Sequence, residues 1–511
     1  MAILLAQRSH PLYDENSDKW ELYLNAAMGG TNFINTDNLL THRLEDSSDY
    51  QARLDRAYYL NYCDAIPDMF NSYIFREEVE RPPDANLVLF RANTNGRGAG
   101  TAEFVKNVGY FASIFGAMHV VVDLPNLPKK KVSVKYVKDN NVTPYCSLVY
   151  PSQLKDWAVD SQGNLKWVVI ESTYYQDDDP TKEREEQIHY KLITRSEWRI
   201  DDIDGNPVKF VDGTANKGKN PLGIVPLVTM YHKDINNDRV GESLLKDIVY
   251  VNRAILNWCS CVDEQIERQT FSQLIVPDDG ELAEESEAGD DPLYKIGTSS
   301  IWTFNSTATH PPAFISPNVE NITAVWKLVV DHIKEMHRMA GLVGGTEDIY
   351  AQRSGRASQM GFMGVNSTLA NKAGKYQKFE NEISKLAYMQ LGIDPEKYED
   401  VKYPSTFDIT ALSDELDSHF KILSRRFSET LNKTIMKNIA RKAIPLASQS
   451  VRKAVEDEIE AGGGEFTDAN DFGDNQGELN GDGNPNVQNL KNTFKSNDTK
   501  TKEESTHRKE E

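Results

Sequence analysis

Lys327, Asp331, Lys334 and Arg338 stand at helical spacing, within about 60° of one another around a helix, so three cations and one carboxylate share a face. Such a face attracts a polyanion through charge rather than through shaped bonds. The plainer reading of the same residues is a solvated helix surface. Opposite them runs an apolar row, Ile322, Trp326, Val329, Ile333, Met336 and Ala340. An earlier segment repeats the pattern, with Leu244, Ile248, Val251, Ile255, Trp258, Val262 and Ile266 facing away from Lys246, Arg253, Ser260 and Glu264. Spacings of three and four put each apolar set on one helical stripe.

Three further segments carry chemical possibilities. Between the two stripes lie Asp278, Asp279, Glu281, Glu284, Glu285, Glu287, Asp290 and Asp291, with no Lys or Arg from Gln269 to Tyr294. A compact core does not enclose such a run, so it reads as a solvated insert whose tip stays mobile. Strand candidates Ser272 to Val276 and Ile301 to Phe304 flank it. After the second stripe comes a loop, Leu342 to Arg353, in which Gly344 and Gly345 give conformational freedom. Glu347 and Asp348 there are acidic, and Arg353 with Arg356 stands at the start of the next helix. Mixed sign suits a segment that touches a phosphate backbone without gripping it; an ordinary surface turn fits it as well.

The third is Gly96-Arg97-Gly98-Ala99-Gly100-Thr101, read as a turn between a strand at Leu87 to Phe90 and a helix from Thr101 to Phe115. Backbone N–H groups in such a turn can cradle phosphate. It lacks the lysine of a P-loop, and its spacing misses the dinucleotide fingerprint. His332, Glu335 and His337 are close in sequence, but a separation of five turns the two histidines about 140° apart. They suit a surface better than a metal, and no metal or cofactor is expected. Cys63, Cys146, Cys259 and Cys261 are scattered, which fits reduced thiols.

A chain of 511 residues can bury a large core without staples. Its formal net charge of −21 disfavours coating of nucleic acid by counterion release. The apolar run in Met1 to Arg8 is too short for a signal segment, and no stretch reaches the roughly 18 apolar residues of a membrane span. Assembly in the cytoplasm is the expectation.

The elements that must position these residues follow an α+β order. Residues 1–240 read as helices up to Ile74, a break at Pro82-Pro83, and then short strands at His119 to Val122, Val132 to Val137, Leu165 to Glu171, His189 to Thr194 and Glu197 to Ile200. Turns at Asp160 to Gly163 and Asp204 to Asn206 make this a meandering antiparallel sheet. Long helices are expected at Gly241 to Thr270, Asn318 to Ala340 and Ser354 to Leu391. The third carries Phe362, Leu369, Tyr376 and Ile383 in a stripe, with Gly361, Gly364 and Gly374 favouring a kink. A strand at Tyr398 to Ile409 and helices at Ser413 to Ile444 and Leu446 to Ala461 follow. Residues 462–511 are Gly-, Asn-, Asp-, Lys- and Glu-rich and read as a disordered tail.

This order, together with Gly98 to Phe104, His119-Val-Val-Val-Asp123-Leu-Pro125, Tyr150-Pro151 to Trp157, Gly241-Glu242-Ser243-Leu244-Leu245 and Ser354-Gly355-Arg356-Ala357, resembles the portal proteins of tailed bacteriophages over about residues 45 to 460. The resemblance implies a wing (1–240), a stem helix (241–270), a clip with its acidic loop (271–317), a second stem helix (318–340), a tunnel loop (341–355), a long kinked wing helix (356–395), a crown (396–461) and the tail. It implies no enzymatic activity. The implied assembly is a ring, by resemblance a dodecamer, at one capsid vertex of the virion, passing double-stranded DNA inward and later outward. Implied partners are the major capsid protein, the terminase large subunit and a head-tail adaptor, with no membrane. Lys327, Lys334, Arg338, Arg353 and Arg356 would be the DNA-channel residues, with the second stem helix as liner. Twelve copies at −21 each carry about 250 negative charges, so most of the channel would repel DNA and let it slide. Two other classes stay open: a nucleotide-dependent enzyme using the Gly96 to Gly100 turn, and a helical scaffold protein.

Overall fold

The computed structural model describes residues 3–43, 45–125, 142–176, 181, 183–210, 215–236, 238–269, 273–278, 301–305, 313–315, 319–342, 355–407, 428–443 and 449–461. The chain is α+β and divides into two compact units, Met1–Asp408 and Ile409–Glu511. The calls at Val132 to Val137, for the tail, and for most of the acidic insert and glycine loop lie outside the described residues.

The first unit opens with three helices, α1 (Pro11–Met28), α2 (Ser47–Arg56) and α3 (Tyr62–Ile74). His10 caps α1 by accepting the Leu12 N–H on Nδ1, and Pro11 fills the first helical position, where no N–H is needed. The strand expected at Leu87 to Phe90 is instead a short helix, α4 (Val88–Ala92). Leu87 and Phe90, three apart, are buried, while Val88 and Leu89 point to water. That is a helical period, which a four-residue apolar run does not reveal on its own.

Helix α5 (Thr101–Phe115) occupies its expected span and ends at Gly116, whose φ of 91° is a left-handed conformation that favours glycine. Strand β1 (Ala117–Asp123) follows and pairs antiparallel with β2 (Tyr145–Val149). A second sheet is a meander, β3 (Leu154–Val159), β4 (Leu165–Gln176), β5 (Glu185–Thr194), β6 (Glu197–Asp201) and β7 (Lys217–Lys219), each hydrogen-bonded to the next in the chain; it holds three of the expected strands, whereas His119 to Val122, read into the same meander, lies in the first sheet. The chain then returns as β8 (Leu227–Tyr231) to the other side of β1, giving the order β2-β1-β8. All of β1 but its last residue is buried, because it is central and covered on both faces. Met118, Val120 and Val122 enter the main helical core, whereas Val121 joins Leu154, Trp157, Val168 and Ile170 in a second core beneath the meander.

Two short strands, β9 (Lys233–Asp234) and β10 (Gly241–Glu242), pair before the long helices begin. Helix α6 (Leu245–Gln269) therefore starts four residues later than the Gly241 expected from sequence. Ser243 sets that start, since its hydroxyl accepts the Leu245 N–H at 2.9 Å. Beyond α6 the strands β11 (Gln273–Asp278), β12 (Ile301–Asn305) and β13 (Ala313–Ile315) form a small sheet of order β12-β11-β13. Within this chain the two predicted strands pair with each other, in parallel, and β13 adds an antiparallel edge that sequence reading missed.

Helix α7 (Val319–Met339) stops where Gly341 takes a φ of 75° and the Leu342 N–H reaches back to the His337 carbonyl at 2.9 Å. Helix α8 (Gly355–Gln390) runs unbroken through Gly361, Gly364 and Gly374 and ends similarly at Gly392, with Ile393 bonded to the Tyr388 carbonyl. Its stripe is buried at Val365, Leu369, Ala373, Tyr376, Phe379, Ile383 and Leu386, as the period predicts. The strand expected from Tyr398 does not form in the described part of that segment; 398–407 is irregular apart from one bridge, Lys402 to Glu80. Side chains of α8 hold it there: the Asn381 amide oxygen accepts the Val401 N–H, and that of Gln377 accepts the Tyr403 N–H.

In the second unit, α9 (Glu429–Ala443) and α10 (Gln449–Glu460) are joined by an ion pair between Lys437 and Glu460 at 2.9 Å.

Candidate functional site

Helices α6 and α7 pack side by side and carry the small sheet at their far end. They are antiparallel: Leu244, Lys246, Asp247 and Ile248, at the start of α6, and Met339 with Ala340, at the end of α7, line one cavity. Both stripes are half-used. Ile248, Ile255 and Val262 on α6, and Val329, Met336 and Ala340 on α7, are buried. Trp258 and Trp326, expected in the same stripes, are 40 and 47 % exposed, and Ile266 and Leu328 are open as well. Leu245, Val249, Leu256 and Cys259 are buried on α6 instead. The core contact of α6 is thus broader than one stripe near its start, and its outer half keeps large apolar side chains in water.

The polar face of α6 is covered at Asn252, Asn257, Ser260 and Glu264, while Lys246 stays exposed. Residues before α3 cover it. The Asn257 amide takes the Leu40 N–H and donates to the Asn38 carbonyl, each at 2.8 Å, and Asn252 does the same for Tyr62 and Leu60. Arg53 is buried there, donating to Ser260 Oγ at 2.8 Å and forking onto Glu45 at 2.7 Å. That fork is charge-assisted and bidentate; it holds the Glu45 carboxyl below its ordinary range and raises the Arg53 guanidinium. Arg56 pairs with Glu264 and Glu267. Sequence gave no sign of this, because the partners are some 207 residues apart.

Lys327, Asp331, Lys334 and Arg338 are all exposed on α7. Arg338 is already engaged, forking onto Glu335 at 2.7 and 2.5 Å one turn away. That contact lowers the Glu335 carboxyl and raises the Arg338 guanidinium. Lys327 and Lys334 make no ion pair among the described residues, so they are the cations this face offers. His337 points the other way, buried against Tyr62 with ring centroids 5.8 Å apart, and its Nδ1 lies 2.9 Å from the Ile333 carbonyl. His332 caps its own helix turn at the Leu328 carbonyl, 2.7 Å away. Among the described residues no group of His, Cys, Asp and Glu could hold a metal ion.

Asp278 closes β11, opposite Asn305, and Arg356 lies in the first turn of α8. Asp279, Glu281, Glu284, Glu285, Glu287, Asp290 and Asp291 lie outside the described residues, as do Gly344, Gly345, Glu347, Asp348 and Arg353.

The Gly96 to Gly100 turn has spent three of its backbone N–H groups internally. Asn95 Oδ1 accepts the N–H groups of Arg97 and Ala99 at 2.9 and 3.0 Å, and Asn93 Oδ1 accepts that of Gly98 at 2.7 Å. The turn borders a cleft of about 870 Å³ whose wall includes Asp64, Asp68 and Glu103 as well as Arg97 and Lys106. Three carboxylates against two cations give a nucleotide no net attraction.

No protein family matches the chain, and no curated protein matches it. Solved structures give loose likenesses. One is a chain of the virion of a native gene transfer agent particle, at 11 % identity and a TM-score of 0.32, covering 77 % of this chain and 89 % of that one. Another is a chain of the neck of an empty gene transfer agent particle, at 10 % identity and 0.30, with the same coverage. At that level the likeness assigns nothing to this chain. No helix among the described residues is long and apolar enough to cross a membrane.

Proposed function

We propose that the chain is a phage portal protein: a ring-forming virion component at one capsid vertex, through which double-stranded DNA is packaged and ejected. The observation that carries this reading is the α6–α7 hairpin. It bears a small sheet at its far end, exposes Trp258, Ile266, Trp326 and Leu328, and presents Lys327 and Lys334 on α7. Large apolar side chains held in water along a helix pair call for a partner surface, and copies of the same chain arranged head to tail around an axis supply one.

In that ring α7 is the helix that lines the channel. The polar face of α6 is taken up from Asn257 to Glu264 by Arg53, Arg56, Asn38 and Leu40, whereas the face of α7 stays open. Belts of Lys327 and Lys334 in an otherwise acidic body meet the phosphate backbone locally, and their small number keeps the contact weak enough for sliding. No catalytic step belongs to this role. Terminase, the major capsid protein and a head-tail adaptor are its partners, and twelve is the subunit number the portal resemblance implies.

Sedimentation and negative-stain imaging of the purified chain test the reading. The expected result is a closed ring with an axial hole. A monomer that persists across micromolar concentrations overturns it.

A further inference from the structure

The cavity between the start of α6, the end of α7 and the middle of α8 has a volume of about 340 Å³ and is walled by Lys233, Lys246, Lys372 and Lys375, with Glu242 and Asp247 as its acids. Glu242 is committed at the rim, 2.8 Å from Lys233 and 3.7 Å from Lys246. The floor is different. Lys372 is only 7 % exposed, and no carboxylate among the described residues pairs with it. Its ammonium donates to Ser113 Oγ at 2.7 Å, lies 3.5 Å from His232 Nδ1 and rests 4.4 Å from the centre of the Phe70 ring. Lys375 donates to the His232 carbonyl.

A buried ammonium without a counter-charge is costly to hold, and proteins either neutralise such a group or supply it with an anion. The charges that act on His232 and Lys372 are positive, and Asp234 opposes them at Lys375. His232 is held well below its ordinary range by burial and then by Lys372, Lys375 and Lys233, and burial followed by Lys375 brings Lys372 itself down to about 7.

We propose that this cavity is a binding site for a phosphate-class oxyanion, with Lys372 at its floor and Lys375 and Lys233 closing over it. Lys372 has donor capacity left after Ser113, and the cavity is roomy enough for a tetrahedral anion with its water. The site belongs to one chain and stands whether or not that chain forms a ring.

Isothermal titration calorimetry of the full chain with inorganic phosphate, against chloride at equal ionic strength, tests it. We expect saturable binding by phosphate and a Tm rise of about 3 °C at roughly a hundredfold excess over its Kd. Lys372→Met, which keeps the stem and removes the charge, is expected to weaken phosphate binding about tenfold or more. Equal effects of phosphate and chloride overturn the proposal, as does a Lys372→Met protein that binds phosphate like the parent. Should Lys372→Met not fold, Lys375→Met and the rim variant Lys233→Met decide: weakened binding in both supports the site, and unchanged binding in both overturns it.

Discussion

Arg81 and Glu380 lie 299 residues apart in sequence and meet in a two-pronged ion pair, Nε to Oε1 at 2.7 Å and a terminal nitrogen to Oε2 at 3.0 Å. Glu380 is 1 % exposed, and the Tyr403 hydroxyl donates to its Oε2 at 2.6 Å. The pair fastens the segment after α3 to the middle of α8. Removing one partner strands the other's charge in the core, so Arg81→Met is expected to cost about 3–5 kcal/mol. Tyr403→Phe removes one charge-assisted bond and costs about 1.5–3 kcal/mol. Urea titration of each variant measures both, and an Arg81→Met loss smaller than that of Tyr403→Phe contradicts the assignment.

Gly109 faces Tyr376 where α5 crosses α8, and a Cβ at Gly109 would overlap the tyrosine ring and hydroxyl. Tyr376 is fully buried and donates its hydroxyl to Asn71 Oδ1, so it has nowhere to retreat. Gly109→Ala is expected to destabilise by about 1–3 kcal/mol despite alanine's better helix propensity. Combining it with Tyr376→Leu, which shortens the opposing side chain, should cost less than the sum of the two single changes; thermal unfolding of all three proteins checks this.

Lys372 gives the fold a pH dependence with a definite sign. Its folded-state pKa of about 7 lies below the ordinary lysine value of 10.5, so between those values the unfolded chain binds the extra proton. Stability therefore rises with pH across that window, by about 1.4 kcal/mol for each unit of pKa difference. Lys375 is shifted the same way and adds to the slope. In phosphate-free buffer, Lys372→Met should flatten the stability profile between about pH 7 and pH 9 and be the more stable protein at the lower end. Parallel profiles for parent and variant would show that the ammonium is well solvated.

Trp258 and Trp326 separate folding from assembly. Both are half-exposed in the single chain, so Trp258→Glu and Trp326→Glu should lose only the packing of the covered part of each ring, about 1–3 kcal/mol, and leave the monomer folded. In a ring each would bury an uncompensated carboxylate against a neighbour, and sedimentation should show smaller species. Lys334→Glu lies on the open face and should leave the ring size unchanged while altering DNA retention. Rings of normal size from both tryptophan variants would move the subunit interface elsewhere.

How far the sequence could be read depended on the distance over which each residue finds its partner. The helices α5, α6, α7 and α8 and the meander were legible because their apolar periods are local and long. Leu87 to Phe90 was misread as a strand because four apolar residues carry no period, and the segment from Tyr398 because its backbone is satisfied by Asn381 and Gln377 on α8 rather than by a strand partner. On the candidate site, Lys327 and Lys334 could be placed on an open face from spacing alone. The covering of α6 by Arg53, the Arg338 fork to Glu335 and the unpaired charge of Lys372 could not. The first and last depend on side chains brought together from hundreds of positions away, and the second on a rotamer choice between two neighbours.

The place of α8 in the core also dictates when that core can exist. Helices α1, α3 and α5 share it with Leu369, Tyr376 and Ile383, and Arg81 waits for a carboxylate made 299 residues later. At typical rates of synthesis that delay is roughly 15 to 60 s. During it the nascent amino-terminal half lacks the helix that seals its core, and Phe70, over which Lys372 of α8 lies, has no lid. A newly made chain must therefore be kept from its neighbours on the ribosome until the middle of α8 has emerged.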